Sequence, residues 1–294
     1  MRARASGKPV SLFISLSFFG TLSCTAPTSI ATFAESVNGV IAQGPPIFAD
    51  IHDSCVRRQD EEARVNPEYP HREQGRIQKP VKAPDSSVCA AFVSEVKELE
   101  DVSSLLSSYF RAVQELAAFD ESTVSGEAQK AGEGVSAAAI LSANQADSVA
   151  KLSGLITRAF TEHYRRGKLR ELLIAADPHI AVISQALEGI ASKDYGGLLD
   201  EEERAMNRRY QETGVTTDAA IVLLLNRAYR EDLDELRQRR AAATAYSSAL
   251  RQAREGHHQL ASTITRLNNK EIALTLEPYI AELQALAPSV HNQP

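Results

Sequence analysis

The stretch CAAFVSEVKELEDVSSLLSSYFRAVQELAA, residues 89–118, decides the fold. Within it Phe92, Val96, Leu99, Ser103, Leu106, Phe110, Val113 and Ala117 recur at alternating spacings of four and three. An α-helix brings residues at that spacing onto one face, so these positions form one continuous stripe. An apolar stripe has to be covered, and a second helix with the same period is the simplest cover. Asp85, Ser86 and Ser87 stand just upstream, and their side-chain oxygens suit the orphan amides of a first turn.

A matching stripe lies downstream. Ala243, Tyr246, Leu250, Ala253, His257, Leu260, Ile264 and Leu267 repeat at three and four. Val222, Leu225, Tyr229 and Leu236 carry the register backwards, with Arg239 as a charged exception. The pattern predicts a helix from about Thr217 of ~50 residues, or ~75 Å at 1.5 Å per residue. A compact domain of this length is only about 35–40 Å across, so the bundle should be elongated. Asn268-Asn269 is its natural interruption, and Pro278 is expected to end or kink what continues. Tyr279 to Leu286 would form a short closing helix.

Between the two stripes the punctuation is denser. Ser122 to Gly134 is rich in glycine and polar residues and reads as a break. A second helix is expected from Val135 to about Ala176, with Ile140, Leu152, Leu155, Ile156, Ala159 and Phe160 on its apolar face and Gly167 as a bend. Asp177-Pro178 reads as a new helix start, ending near Ser192. Asp194-Tyr195-Gly196-Gly197 is turn chemistry, Asp200 with Glu203 matches a capping box, and Gly214 is a stop. The expected fold is therefore all-α: an elongated antiparallel bundle of four to six helices with coiled-coil-like packing, over residues 85–290. The alternative is an intermolecular coiled coil built on the long stripe.

Composition agrees. Apolar residues make up 43% of the 294-residue chain, but aromatics only 6%, and Trp is absent. Alanine and leucine must supply most of the packing, and both are strong helix formers. The formal charge of −6 argues against nonspecific binding of nucleic acid, whose phosphates call for a basic surface. The basic clusters at Arg165-Arg166-Gly167-Lys168 and at Arg237, Arg239 and Arg240 stand beside acidic residues and read as solvated helix faces.

The chain opens with Arg2, Arg4 and Lys8, followed by the apolar run Val10–Phe19. A basic head and a run of this length have the layout of a secretory signal peptide, here residues 1–24. The run is too short to span a bilayer, which takes ~20 apolar residues. Later, Ala219 to Leu225 comes closest to a span, and Arg227, Arg230 and Glu231 end it. Thr21-Leu22-Ser23-Cys24 resembles the lipobox of bacterial lipoproteins, although Thr21 stands where an aliphatic residue is usual. The resemblance implies that Cys24 carries a lipid. An ordinary cut after Ala26 is the alternative.

Cys24, Cys55 and Cys89 are the only cysteines, an odd total. With Cys24 assigned to lipid, an oxidising compartment favours a Cys55–Cys89 disulfide. Residues 25–84 read as a largely extended arm: prolines recur at 45, 46, 67, 70, 80 and 84, and charges dominate from Arg57 to Lys82. Ile47 to Val56 could form a short helix docked through Cys55.

Catalytic signatures fail on inspection. Glu255 and His258 give one copy of the Glu-x-x-His element of di-iron bundles, without a second. His52, His71, His163, His179 and His291 are scattered. Ser-x-x-Lys occurs twice, at Ser94–Lys97 and Ser148–Lys151, with none of its companion elements. Glu201-Glu202-Glu203 reads as helix-start charge. No metal or cofactor is expected. Tyr195, Gly196, Gly197 and Leu198, in a predicted interhelical loop with Leu199, form a candidate partner contact; a corner whose leucines fold inward is the alternative. The expectation is a non-catalytic interaction or scaffold module of the cell envelope, tethered to a membrane by lipid alone and binding another envelope protein. Two others stand beside it: a periplasmic carrier whose pocket would be lined by Phe92, Phe110, Phe160 and Tyr246, and an enzyme with a site built from dispersed residues.

Overall fold

The computed structural model describes residues 26–65, 87–118, 141–161, 166–213 and 218–291. In chain order they form α1 (Ala26–Ile41), α2 (Gly44–Val65), α3 (Ser87–Ala118), α4 (Ala143–Thr161), α5 (Arg166–Gly189), a π-helical turn (Ile190–Asp194), α6 (Tyr195–Thr213), α7 (Ala219–Thr263) and α8 (Asn269–His291). No strand occurs among the described residues. The molecule is the all-α bundle that the stripes predict.

Helix α7 is the axis. Its 45 residues reach about 67 Å, and the Asp218 carboxylate caps it by accepting from the amides of Ala220 and Ile221. Asn268 ends the break after it and starts α8, taking the amides of Lys270 and Glu271 while Glu271 reaches back to the Asn268 amide. That reciprocal pair is a capping box. We call the end where α7 hands over to α8 the base, and the end where α6 hands over to α7 the tip. Residue pairings give the directions. α1 runs against α3 (Asn38 to Ser107, Ile41 to Ser103), and α5 runs against α7 (Asp177 to His257, Glu188 to Arg254). α2 continues α1 toward the tip and lies parallel to α6, pairing Ser54 with Glu202 and Glu61 with Arg209.

The apolar core sits toward the base. Phe33, Val37, Leu99, Leu106, Phe110, Leu173, Ile180, Tyr246, Leu250 and Leu260 are all buried there in one cluster drawn from α1, α3, α5 and α7. Rings meet edge to face, Phe33 on Phe110 at 6.2 Å and Phe48 on Tyr246 at 5.7 Å. Small residues set the helix spacing. A Cβ on Gly256 would stand 2.6 Å from the Phe33 ring, and one on Gly44 would stand 2.6 Å from Ser103 Oγ. Cys55 and Cys89 are joined by a disulfide that ties α2 to the start of α3, with Cα atoms 5.8 Å apart.

Three sequence expectations are overturned. The described part of the extended arm of residues 25–84 is two helices, α1 and α2, joined by a turn at Ala42 and Gln43. Ile30, Phe33, Ala34, Val37, Val40 and Ile41 make a core-facing stripe of their own. The prolines do not oppose it, since Pro45 and Pro46 lie in the first turn of α2, where the amides have no helical partner to lose. Residues 66–86, with Pro67, Pro70, Pro80 and Pro84, lie outside the described residues, as do the expected signal peptide, Cys24 and the Ser122–Gly134 break.

Secondly, Asp177-Pro178 starts no helix, and Asp194-Tyr195-Gly196-Gly197 makes no turn. Residues 166–213 are helical throughout, with Gly189 and Tyr195 in right-handed helical conformation on either side of the π turn. Asp200 and Glu203 consequently cap nothing. Thirdly, Pro278 does not end a helix and Tyr279–Leu286 is no separate one: both lie inside α8, as does Pro288. Each interior proline frees the carbonyl four residues before it, and those carbonyls belong to exposed Ile174, Leu274 and Gln284. Water can take the missing amide's place, and packing of the opposite face holds the helices together.

Candidate interaction site

The tip is built from charge. Glu202 is buried, yet it accepts from Ser54 Oγ at 2.7 Å, Arg57 Nε at 2.7 Å and Arg239 Nη1 at 3.1 Å. Asp50 accepts from Arg57 Nη2 at 2.8 Å and from the Tyr195 hydroxyl. Burial and the neighbouring Asp50 carboxylate push the Tyr195 phenol well above its ordinary range. Farther out, Arg209 bridges Glu61 at 2.7 Å and Asp232 at 2.8 Å, Arg240 bridges Asp200 and Glu203, and Arg58 pairs with Glu201. Arg239, the exception in the predicted stripe, is the residue through which α7 grips α2 and α6. An unpaired charge could not be buried there, and this one is matched.

Beyond that collar the chain turns apolar again. Ala219-Ala-Ile-Val-Leu-Leu-Leu225 forms the first two turns of α7. Leu223 is 69% exposed, Leu224 68% and Ile221 45%. The other side of the same turns meets α6, where Val222, Leu225, Tyr210 and Tyr229 line a groove of about 340 Å³ together with Asn207, Gln211 and Asn226. Tyr210 and Tyr229 pack edge to face at 5.0 Å. Their hydroxyls donate to Asp232 and Asn207, and Arg209 lies 4.2 Å over the Tyr210 ring. Burial and the hydrogen bond to Asp232 push the Tyr210 phenol up to about 12. The exposed face of these turns is aliphatic, and the groove beside it carries two tyrosines with Arg209 stacked on one of them.

Tyr195, Gly196, Gly197 and Leu198, the contact expected from sequence, do not form an exposed loop. Tyr195 is buried, Leu198 half-buried and Gly197 exposed, all within a helical rod. Tyr195 instead anchors α6 to Asp50 on α2. Sequence reasoning reached Ala219–Leu225 only as a near-membrane span. Its exposure depends on which helices stop short of it, and no local pattern records that.

The base holds a different polar chain. Tyr109 donates to His257 Nε2 at 2.6 Å, and His257 Nδ1 donates to Asp177 Oδ1 at 3.1 Å. His258 Nδ1 donates to the second Asp177 oxygen at 2.8 Å. Burial favours the neutral His257 ring and lowers its pKa, against the pull of Asp177. Burial also works against charge on Asp177, but the two histidines outweigh it and hold the carboxyl below its ordinary value. Burial and the nearby Asp177 carboxylate push the Tyr109 phenol well up. A phenol, an imidazole and a carboxylate in this order have the bonding pattern of a nucleophile, its base and an orienting acid. Here the phenol and the imidazole are both fully buried. Their role is to satisfy one another while joining α3, α5 and α7.

His257 is thus a core histidine of the long stripe, as its register suggests. Among the described residues no three His, Cys, Asp or Glu side chains are placed to hold a metal ion. Ser148 is buried, while Lys151 pairs with Asp147 on the surface at 2.6 Å, so Ser148–Lys151 forms no reactive pair. Phe110 and Tyr246 are packed in the core and Phe92 lies against it, while the side chain of Phe160 lies outside the described residues. No helix among the described residues is long and apolar enough to cross a membrane. Comparison of the chain with protein-family models, with curated proteins and with solved structures finds no match.

Proposed function

We propose that the protein is an exported, non-catalytic interaction module of the cell envelope, tethered by lipid on Cys24 and engaging another envelope protein through its tip. The observation that carries this is the exposure of Ile221, Leu223 and Leu224 at the far end of a charged three-helix stalk. Exposed aliphatic side chains in contiguous turns stay in water at a cost, and such a patch with polar and charged groups on the side toward the collar fits a docking surface.

The direction of the chain fits a tether. Phe33 of α1 touches Gly256 on α7, 37 residues from the start of that helix, which places the tip about 55 Å from the first turns of α1. A lipid on Cys24 would hold the base at a bilayer and present the tip away from it. The test is capture from envelope extract by the full mature chain, compared with a Leu223→Ser, Leu224→Ser variant of unchanged melting temperature. The reading expects one discrete protein to be retained by the parent and lost from the variant. Equal recovery by both chains, or none by either, counts against it.

A further inference from the structure

The base has an apolar feature of its own, independent of the tip. A groove of about 700 Å³ runs between α1 and α8, with Thr28 and Thr32 on one wall and Lys270, Leu274, Ala281 and Gln284 along the other. Leu274 is 59% exposed within it. From Lys270 to Gln284 the α8 wall extends about 21 Å, and the apolar part of the lining is aliphatic throughout. Ala273, Leu274, Ile280 and Ala281 form an aliphatic strip along this open trough, edged by polar side chains that include Lys270 and Glu277, and the strip has room for a hydrocarbon chain.

Where the chain enters says which hydrocarbon is at hand. Thr28 stands four residues after Cys24, so a fully extended backbone puts at most about 14 Å between their Cα atoms. An acyl chain covers roughly half of a ~30 Å hydrocarbon layer, about 15 Å, and that fits inside the trough. We infer that the α1–α8 groove is an acyl-chain site, and that its occupant is the hydrocarbon carried by this protein's own Cys24. The inference rests on the lipid tether proposed above. In a bilayer the chain is already among hydrocarbon and the groove adds nothing. In water the groove removes apolar surface from solvent. The site therefore works while the lipidated protein is away from a membrane, and it keeps single copies soluble.

The experiment uses cells fed a diazirine-bearing long-chain fatty acid, from which the lipidated full chain is purified and freed of detergent. After illumination, peptides are mapped by mass spectrometry. The expected result is label on Cys24 with crosslinks to the α8 peptide that contains Leu274 and Ala281. Ala281→Trp, an exposed position whose ring would fill the trough, should cut that crosslink roughly tenfold or more with an unchanged melting temperature. Label on Cys24 that crosslinks only between copies, or to other helices, overturns the groove and leaves the tether standing. Absence of label from Cys24 overturns both.

Discussion

The two ends of α7 lie in opposite environments. Toward the base, Tyr246, Ala249, Leu250, Ala253, His257 and Leu260 are sealed against α1, α3, α5 and α8. Toward the tip, the same helix is held by Arg239, Arg240, Asp232 and Tyr229, and its first turns expose Ile221, Leu223 and Leu224. Apolar burial is non-directional and scales with area, and the core it builds is close-packed, so the base does not tolerate lost volume. Ion pairs need geometry and are screened by salt, so the tip is the part that can open, adjust and bind. One helix thus carries both the stability of the molecule and its adaptable surface.

Loss of volume in the base should have the largest effect. Phe110→Ala removes a ring packed on Phe33, Tyr109 and His257, and urea unfolding should show a loss of about 3–5 kcal/mol. Arg239→Met strikes the collar instead. Glu202 keeps Arg57 and Ser54, so the expected loss is smaller, about 2 kcal/mol. It should also be local: hydrogen exchange should speed up in α6 and the first half of α7 while amides around Leu250 keep their protection. A uniform loss of protection would erase the distinction between the ends.

Acid should loosen the base through the Tyr109–His257–Asp177 chain. The folded pKa of His257 is lowered from 6.5, so below that value the unfolded chain takes up a proton that the folded chain refuses, and stability falls with pH. Asp177, lowered from 3.8, adds stability above that value that is lost as pH falls through its folded pKa. Urea midpoints should therefore drop between about pH 7.5 and about pH 5.5, and His257→Gln should flatten the drop. A slope unchanged by that substitution would remove the network from the account. At the tip, Leu223→Ser should alter stability by no more than about 0.5 kcal/mol, because its side chain touches little that unfolding would expose. A larger loss would mean that the patch is structural.

The stripes of α3 and α7 were legible because each is long, uninterrupted and read at one period. The stripe of α1 is equally regular, but the prolines and charges that follow it mask it: Pro45 and Pro46 sit in the first turn of α2, and the charges from Arg57 onward lie along α2, where Arg57, Arg58 and Glu61 pair with α6. The rod over residues 166–213 defeated local reading for a related reason. Asp-Pro and Gly-Gly are strong local signals, and packing of Leu173, Ile180, Leu187 and Leu199 on one face overrides them. Tyr109, Asp177 and His257 come from three helices and share no sequence spacing, so only the fold brings them together. Arg239 was visible as a fault in the stripe, and the fault marks where apolar packing gives way to the ionic collar.

A photo-crosslinking residue placed in turn along α7 of the full chain, from Ala220 to Glu255 at exposed positions only, and activated in living cells, measures directly which end is used. The account predicts adducts with one partner at 220, 223, 224 and 227, fading to none at 251 and 255. Adducts spread evenly along the helix, or confined to the base, would contradict it.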